Sequence, residues 1–356
     1  MRVPAPGVLL VRFGSLGDVL LAGAAGQALH AARPDLPITF LVKAEYAGLV
    51  RGQPWADDVW TLVPGEERGP AGITALRRRI QDAGFSAVVD LQTSPRSRAL
   101  LSGHPCVFAW RADRWARRRW VSLKWTRPAP VRPAWLRFVD AVAPLGVDPT
   151  AAAPPRLALD AGAAARAAAF DAGWSGGALV LLAPGARWAT KRWPEASWLR
   201  LARGLAGAGL RVLLAGDAGD RQTMPGLVAW AGDEPRARWF EGPLEDLAAV
   251  AARARGAVTN DSGLMHLAAS VGVPVVALFG STHPALGFAP AGAGHVVLCA
   301  NLACQPCTLH GLARCPLGHH RCMRDIAPGT VLEALVRIVA EAGTARIPEE
   351  MPPEDH

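Results

Sequence analysis

Residues 258 to 280 read Val-Thr-Asn-Asp-Ser-Gly-Leu-Met-His-Leu-Ala-Ala-Ser-Val-Gly-Val-Pro-Val-Val-Ala-Leu-Phe-Gly. Asn260, Asp261 and Ser262 are residue types that cap helix N-termini, and Gly263 lets the backbone come close to a ligand. Gly256 to Thr259 is an apolar run too short for a helix and suited to a buried parallel strand. Leu264 to Val271 reads as a helix, and Val273 to Phe279 as a second buried strand with Pro274 near its start. A carboxylate and a hydroxyl thus stand at the carboxyl end of a strand, beside N–H groups that have no intrahelical acceptor. That setting suits the polar groups of a phosphorylated sugar. Asp261 on its own serves equally well as an N-cap, because strand–turn–helix–strand recurs throughout open α/β proteins.

Two further places carry candidate chemistry. Arg12-Phe13-Gly14-Ser15-Leu16-Gly17-Asp18 follows an apolar run, and Gly14 and Gly17 permit a tight turn that aims Asp18 away from the strand end. An acid there also favours a helix dipole, by about 0.3–1 kcal/mol. Lys191 is one of three lysines, with Lys43 and Lys124, in a chain that otherwise uses arginine. A compact ammonium after a strand is a plausible clamp for a diphosphate, and Arg187 and Arg192 flank it. Asp217 and Asp220 follow another strand, where an acid often meets ribose hydroxyls; this is the weaker assignment. Cys304, Cys307, Cys315 and Cys322, with His310, His319 and His320 nearby, suggest a structural zinc site better than disulfides, though their spacing is not that of a zinc ribbon. Cys106 and Cys299 read as ordinary buried thiols.

Positioning these groups takes two alternating sets of elements. In the first, Val8 to Phe13, Ile38 to Val42, Val59 to Val63 and Ala87 to Leu91 read as strands, with helices at 19–31 and 72–83. In the second, strands at 178–182 and 211–215 and helices at 195–208, 244–253 and 331–340 surround the opening segment. The Pro/Ala/Gly-rich residues 144–157 read as a linker. The expected organisation is therefore an α/β chain of two doubly wound domains, 1–150 and 151–342, facing a cleft, with a frayed tail at 343–356.

Charge is unevenly spread. Residues 1–150 hold 20 Lys+Arg against 12 Asp+Glu, and the remainder 18 of each. The excess concentrates in 110–137, read as an insertion, where nine Arg/Lys face only Asp113 and five tryptophans are interleaved. Nucleic acid, an anionic membrane surface and an anionic glycolipid would each explain such a stretch, as would a solvated arginine-rich helix face. No helix-turn-helix, finger or RNA-recognition pattern supports nucleic acid. No apolar run approaches the roughly 18 residues of a membrane span, and the amino terminus lacks a secretory signal, so a cytosolic location is expected.

The sequence of 258–280, continued by Ser281-Thr282, resembles the donor-site signature of glycosyltransferase family 9, the bacterial heptosyltransferases of lipopolysaccharide core assembly. Ser15-x-Gly17-Asp18 is similar to the family's Ser-x-Gly-Asp, whose Asp is taken as the general base. Pro184-Gly185 followed by Lys191-x-Trp193-Pro194 is similar to a second family loop. The resemblance implies a GT-B fold of two Rossmann-like domains and an inverting, metal-independent transfer of heptose from a nucleotide donor, ADP-heptose, to the lipopolysaccharide inner core. In that scheme Asp18 is the base. Lys191, Asp261, Ser262, Gly263, His266 and Arg187 hold the donor. Ser15, Arg111, Arg114, Arg117 and Arg118 face the anionic acceptor at the cytosolic face of the inner membrane, with no cofactor required. A sugar-nucleotide epimerase or hydrolase of the same fold, or a transferase using another sugar donor, is the alternative.

Overall fold

A computed structural model of the chain describes residues 7–62, 69–110, 114–123 and 131–341, with the side chains of 114–116 outside the description. It divides into two compact units, Met1–Ala112 with Arg132–Asp160, and Asp113–Val131 with Ala161–His356. The tail expected at 343–356 lies outside the described residues.

The first unit is built on β1 (Val8–Val11), β2 (Ile38–Lys43), β3 (Asp58–Leu62), β4 (Ala87–Asp90) and β5 (Val107–Ala109). All pairs are parallel, in the order β3-β2-β1-β4-β5. The second unit holds β6 (Leu179–Ala183), β7 (Arg211–Leu214), β8 (Ala237–Trp239), β9 (Gly256–Asn260), β10 (Val275–Phe279) and β11 (Val296–Cys299), also all parallel, in the order β11-β10-β9-β6-β7-β8. Both are doubly wound sheets. The central strands read as unbroken apolar runs because helices cover both faces; every residue of β1, β6, β9 and β10 is buried. In the second unit Trp193 and Trp198, fully buried, meet edge to face at 5.1 Å beneath the sheet. Truncating either to Ala would cost roughly 3–5 kcal/mol.

Each order reverses direction once, between β1 and β4 and between β6 and β9. The crevice beyond the strand ends at such a switch point is where open α/β sheets bind ligands. The registers fix what lies there: Val11 pairs with Asp90 in the first unit and Ala183 with Thr259 in the second. Residues 12–18 and 91–97 therefore leave one sheet together, and residues 184–191 and 260–263 leave the other together.

Two expectations about organisation change. The junction anticipated at 150/151 falls at 160/161, because residues 151–160 run back over the first unit. The Gln27 side chain bonds the backbone of Arg156, and Gln53 brackets Ala158, donating to its carbonyl at 2.9 Å and accepting from its N–H at 3.0 Å. The basic insertion at 110–137 is likewise not one body. Helix Arg114–Leu123 belongs to the second unit, where Trp120 packs against His283 at 5.1 Å and Arg117 lies over Phe288 at 5.6 Å. Helix Ala134–Asp140 returns to the first unit against helix Leu16–Ala32.

Candidate functional site

In the first unit Val11 ends β1 and the chain turns through Arg12 to Ser15, the N-cap of helix Leu16–Ala32. Asp18 is the third helical residue, and its side chain folds back on the cap. Ser15 Oγ lies 3.1 Å and Ser15 N 3.4 Å from Asp18 Oδ2. Arg12 Nη2 meets the same oxygen at 2.5 Å, and Asp18 keeps a fifth of its side chain exposed. Across the switch point, buried Asp90 shapes the loop after β4. Its Oδ1 accepts the N–H groups of Gln92 (3.0 Å) and Thr93 (2.8 Å), and its Oδ2 the hydroxyl of Ser97 (2.9 Å). Gln92 in turn accepts the N–H of Phe13 at 3.2 Å, which ties the two loops.

In the second unit the sequence-selected groups converge. The loop after β6 carries Lys191 at the end of a single 3₁₀ turn, Ala189–Lys191. Its Nζ meets Asp261 Oδ2 at 2.7 Å and the Asp261 carbonyl at 3.2 Å, both side chains being largely buried. Thr282, two residues past Gly280 at the end of β10, donates to the same Oδ2 at 2.6 Å. Asn260 clamps the loop from beneath, donating to Pro184 O at 2.6 Å and accepting from Trp193 N at 3.2 Å. Gly280 is required here. A Cβ on it would lie 2.6 Å from the carbonyl oxygen of Thr190, so any side chain would push the lysine loop off the sheet. Ser262 is the N-cap of helix Gly263–Ser270, yet its Oγ is buried and bonds none of the described residues. His266 is buried one helical turn on. A cation with three N–H donors, an unused buried hydroxyl and a helix N-terminus together make an anion site; two of the lysine's donors are spent on Asp261, which leaves one for a phosphate oxygen.

Other sequence-selected residues fall elsewhere. Asp217 and Asp220 form a reciprocal cap on helix Ala218–Gln222: Asp217 Oδ1 accepts Asp220 N at 2.8 Å, and Asp220 Oδ2 accepts Asp217 N at 3.1 Å. Burial raises the Asp220 pKa above the usual carboxylate value, and the neighbouring Asp217 adds to this against the backbone N–H groups and Arg192. Its carboxyl abuts Gly185, so the pair borders the loop after β6. Arg187 is exposed over the Trp188 ring at 5.5 Å. Arg192 Nε donates to Ala186 O at 2.7 Å.

The basic stretch differs most from expectation. Arg117 and Arg137 are buried at 5% and 4% exposure, and so are Trp110 and Trp120 at 8% and 5%. Arg137 lies over Trp110 at 5.4 Å, so these guanidinium groups face aromatic rings rather than solvent. Arg118 is exposed, Arg111 lies outside the described residues, and so does the side chain of Arg114.

The thiols are placed near one another but not as a ligand cage. Cys307 Sγ turns to the Cys304 carbonyl at 3.0 Å, and Cys304 Sγ lies 3.9 Å from His319 Nε2. Burial, then the neighbouring thiols, pushes the Cys322 thiol up to about 12. Among the described residues no three His, Cys, Asp or Glu converge as they would around a metal ion. Cys106 and Cys299 are half-buried rather than buried.

Sequence reading passed over three site residues. Arg12 looks like the end of a strand, and its partner is visible only in three dimensions. Asp90 had a signal, an acid closing an apolar run. Thr282 had one too, as the hydroxyl two residues past the Gly that ends a strand.

Residues 73–313 match the model of glycosyltransferase family 9 (heptosyltransferase). Lipopolysaccharide heptosyltransferase 1 of Pseudomonas aeruginosa is 32% identical over 84% of this chain and 85% of its own length. Among solved structures, a family 9 glycosyltransferase from Veillonella parvula superposes with a TM-score of 0.79 at 20% identity, covering 96% of this chain and 99% of that one. The ADP-heptose lipopolysaccharide heptosyltransferase II of E. coli superposes with a TM-score of 0.72 at 22% identity, covering 95% and 100%. The two doubly wound sheets are thus the GT-B fold. The chain belongs to glycosyltransferase family 9, and it is a glycosyltransferase.

Proposed function

We propose that this enzyme transfers heptose from ADP-heptose to the lipopolysaccharide inner core, with inversion at the anomeric carbon. The observation that carries the reading is the convergence of Lys191, Asp261, Thr282 and the start of helix Gly263–Ser270 at the second switch point. It is supported by membership of the family and by the likeness to lipopolysaccharide heptosyltransferases. The Lys191 ammonium, the Ser262 hydroxyl and the helix N-terminus hold the diphosphate of the donor. Asp18 takes the proton of the acceptor hydroxyl as its oxygen bonds the anomeric carbon. The bond from that carbon to the diphosphate breaks, and ADP leaves with the electron pair, its charge met by Lys191. Arg187 and His266 border the donor, Asp217 and Asp220 its nucleoside end. Ser15 with the exposed Arg118, and with Arg111 and Arg114, meets the acidic acceptor.

The donor domain is the second unit, which includes helix Arg114–Leu123, and the acceptor domain is the first. Among the described residues no helix is long and apolar enough to cross a membrane. Exposed Arg118, Arg119 and Leu123 favour contact with the anionic cytosolic face of the inner membrane. The reaction needs no metal.

The test incubates the protein with ADP-heptose, and separately with UDP-sugars, with and without purified core acceptor, scoring products by mass. Acceptor-dependent gain of one heptose with ADP release, undiminished by a chelator, is expected. Donor consumption that proceeds equally without acceptor points instead to a hydrolase or epimerase.

A further inference from the structure

Arg12 is buried, and both terminal nitrogens of its guanidinium are engaged within the first unit, while Nε meets no acceptor among the described residues. Nη1 donates to the carbonyl of Leu91 at 2.6 Å, and Nη2 meets Asp18 Oδ2 at 2.5 Å. The guanidinium also lies 5.9 Å from the Trp110 ring centre and 5.4 Å from that of Phe138. The two rings pack on each other at 4.9 Å, so the end of β5 and helix Ala134–Asp140 together wall the arginine in. A planar fork held by a carbonyl and two rings has little freedom, unlike a lysine in the same place.

The bonds to Asp18 are one-sided. Arg12, Ser15 Oγ and Ser15 N all address Oδ2. No described residue donates to Oδ1, and the side chain keeps 20% of its surface exposed. We infer that Arg12 is the positioning residue for the general base: it fixes Oδ2 and so leaves Oδ1 turned outward as the oxygen that takes the acceptor proton. The inference rests on the reading of Asp18 as the base and adds which oxygen acts and what aims it. The proton passes from the acceptor hydroxyl to Oδ1 while Arg12 keeps its own protons.

A purely structural arginine would change stability, not the balance of kinetic constants. Arg12→Met, checked by circular dichroism and melting, is expected to lose about 100-fold in kcat, the penalty of a reacting group misplaced by about 1 Å. The KM for the nucleotide-sugar donor should stay within about twofold. Arg12→Lys keeps the charge but cannot reach both Leu91 O and Oδ2 in one plane, and is expected to lose about tenfold in kcat with near-normal melting. Folded Arg12→Met with kcat within threefold of wild type overturns the inference. Where that variant does not fold, Arg12→Lys decides, and kcat within twofold of wild type overturns it. Asp18→Asn, assayed alongside, separates the two failures. An active Asp18→Asn sinks the base assignment itself, whereas an inactive one beside a fully active Arg12→Met sinks only the role of Arg12.

Discussion

The two sheets have the same winding and place a carboxylate at the same point of reversal, but they use it in opposite ways. Asp18 lies in the first turn of the helix that follows β1, held through one oxygen by Arg12 and Ser15 and a fifth exposed. Asp261 directly follows β9, is 8% exposed, and carries Lys191 and Thr282 on one oxygen. The first is a carboxylate presented outward, with the cation as its support. The second is itself the support, a buried counter-ion that aims a cation outward. Under the proposed function the same topology yields an acid–base group in one unit and an electrostatic clamp in the other, and the difference comes from which member of the ion pair remains more accessible.

The sharpest way to break that contrast is at the charges themselves. Asp18→Asn removes the basic oxygen but keeps the size and the cap. It should lower kcat by about 10²–10⁴-fold, the usual range for a lost general base, with donor binding intact by calorimetry. Lys191→Met should cost about 10²–10³-fold in kcat/KM, as for a lost group that meets charge developing in the transition state. It should also cost about 3–5 kcal/mol of stability in urea unfolding, because it strands a buried carboxylate. The double variant Lys191→Met with Asp261→Asn separates the two effects. It should regain most of the stability and none of the activity. Activity returning with stability would show that the lysine is only a structural partner.

How much of this was readable beforehand follows the physics of each region. The segment 256–279 was legible because a central parallel strand, buried on both faces, leaves an unbroken apolar run, and the helix between announces itself by its cap residues. The strands that went unread, Val107–Ala109, Ala237–Trp239 and Val296–Cys299, are β5, β8 and β11, all at sheet edges. An edge strand is short and half-covered, so it accommodates residues such as Arg238 and shows no periodic signal. Type and spacing made Asp18, Lys191 and Asp261 candidates beside plain capping or surface roles, and the resemblance to the family 9 motifs singled them out. Their pairings were not legible, because Lys191 and Asp261 are 70 residues apart and Arg12 reaches Leu91 across 79. Burial misled most in the basic stretch, where Arg117 and Arg137 are buried over aromatic rings.

Smaller changes sharpen the account of the clamp. Thr282→Val removes one donor from Asp261 Oδ2 at constant shape and should cost about 1–3 kcal/mol of stability, since it leaves that oxygen under-bonded. Donor KM should rise several-fold, with Thr282→Ser recovering most of both. An unchanged KM in a destabilised Thr282→Val would make the hydroxyl a folding contact only. Gly280→Ala tests the loop from the other side. Its new methyl meets the Thr190 carbonyl at 2.6 Å and Met323 Cγ at 2.9 Å, and should cost about 1–3 kcal/mol while loosening Lys191.

The smallest expected effect concerns the same Thr190 carbonyl, which lies 3.3 Å from His320 Nε2. Burial is the main force lowering the His320 pKa below its usual value, with Arg324 and His319 acting in the same direction and the bond to Thr190 opposing them. The unfolded chain therefore takes up this proton at a higher pH than the folded one. Stability is fully present above about pH 6.5, the ordinary histidine value, and declines as the pH falls below it. His320→Asn preserves the left-handed backbone, φ 47°, which asparagine tolerates, and removes the titration. The melting temperature of the variant, compared with wild type at pH 8 and at pH 5.5, should show a difference narrowing by on the order of 1–2 °C at the lower pH. A parallel loss in both proteins would assign the acid sensitivity to other groups and leave the lysine loop indifferent to His320.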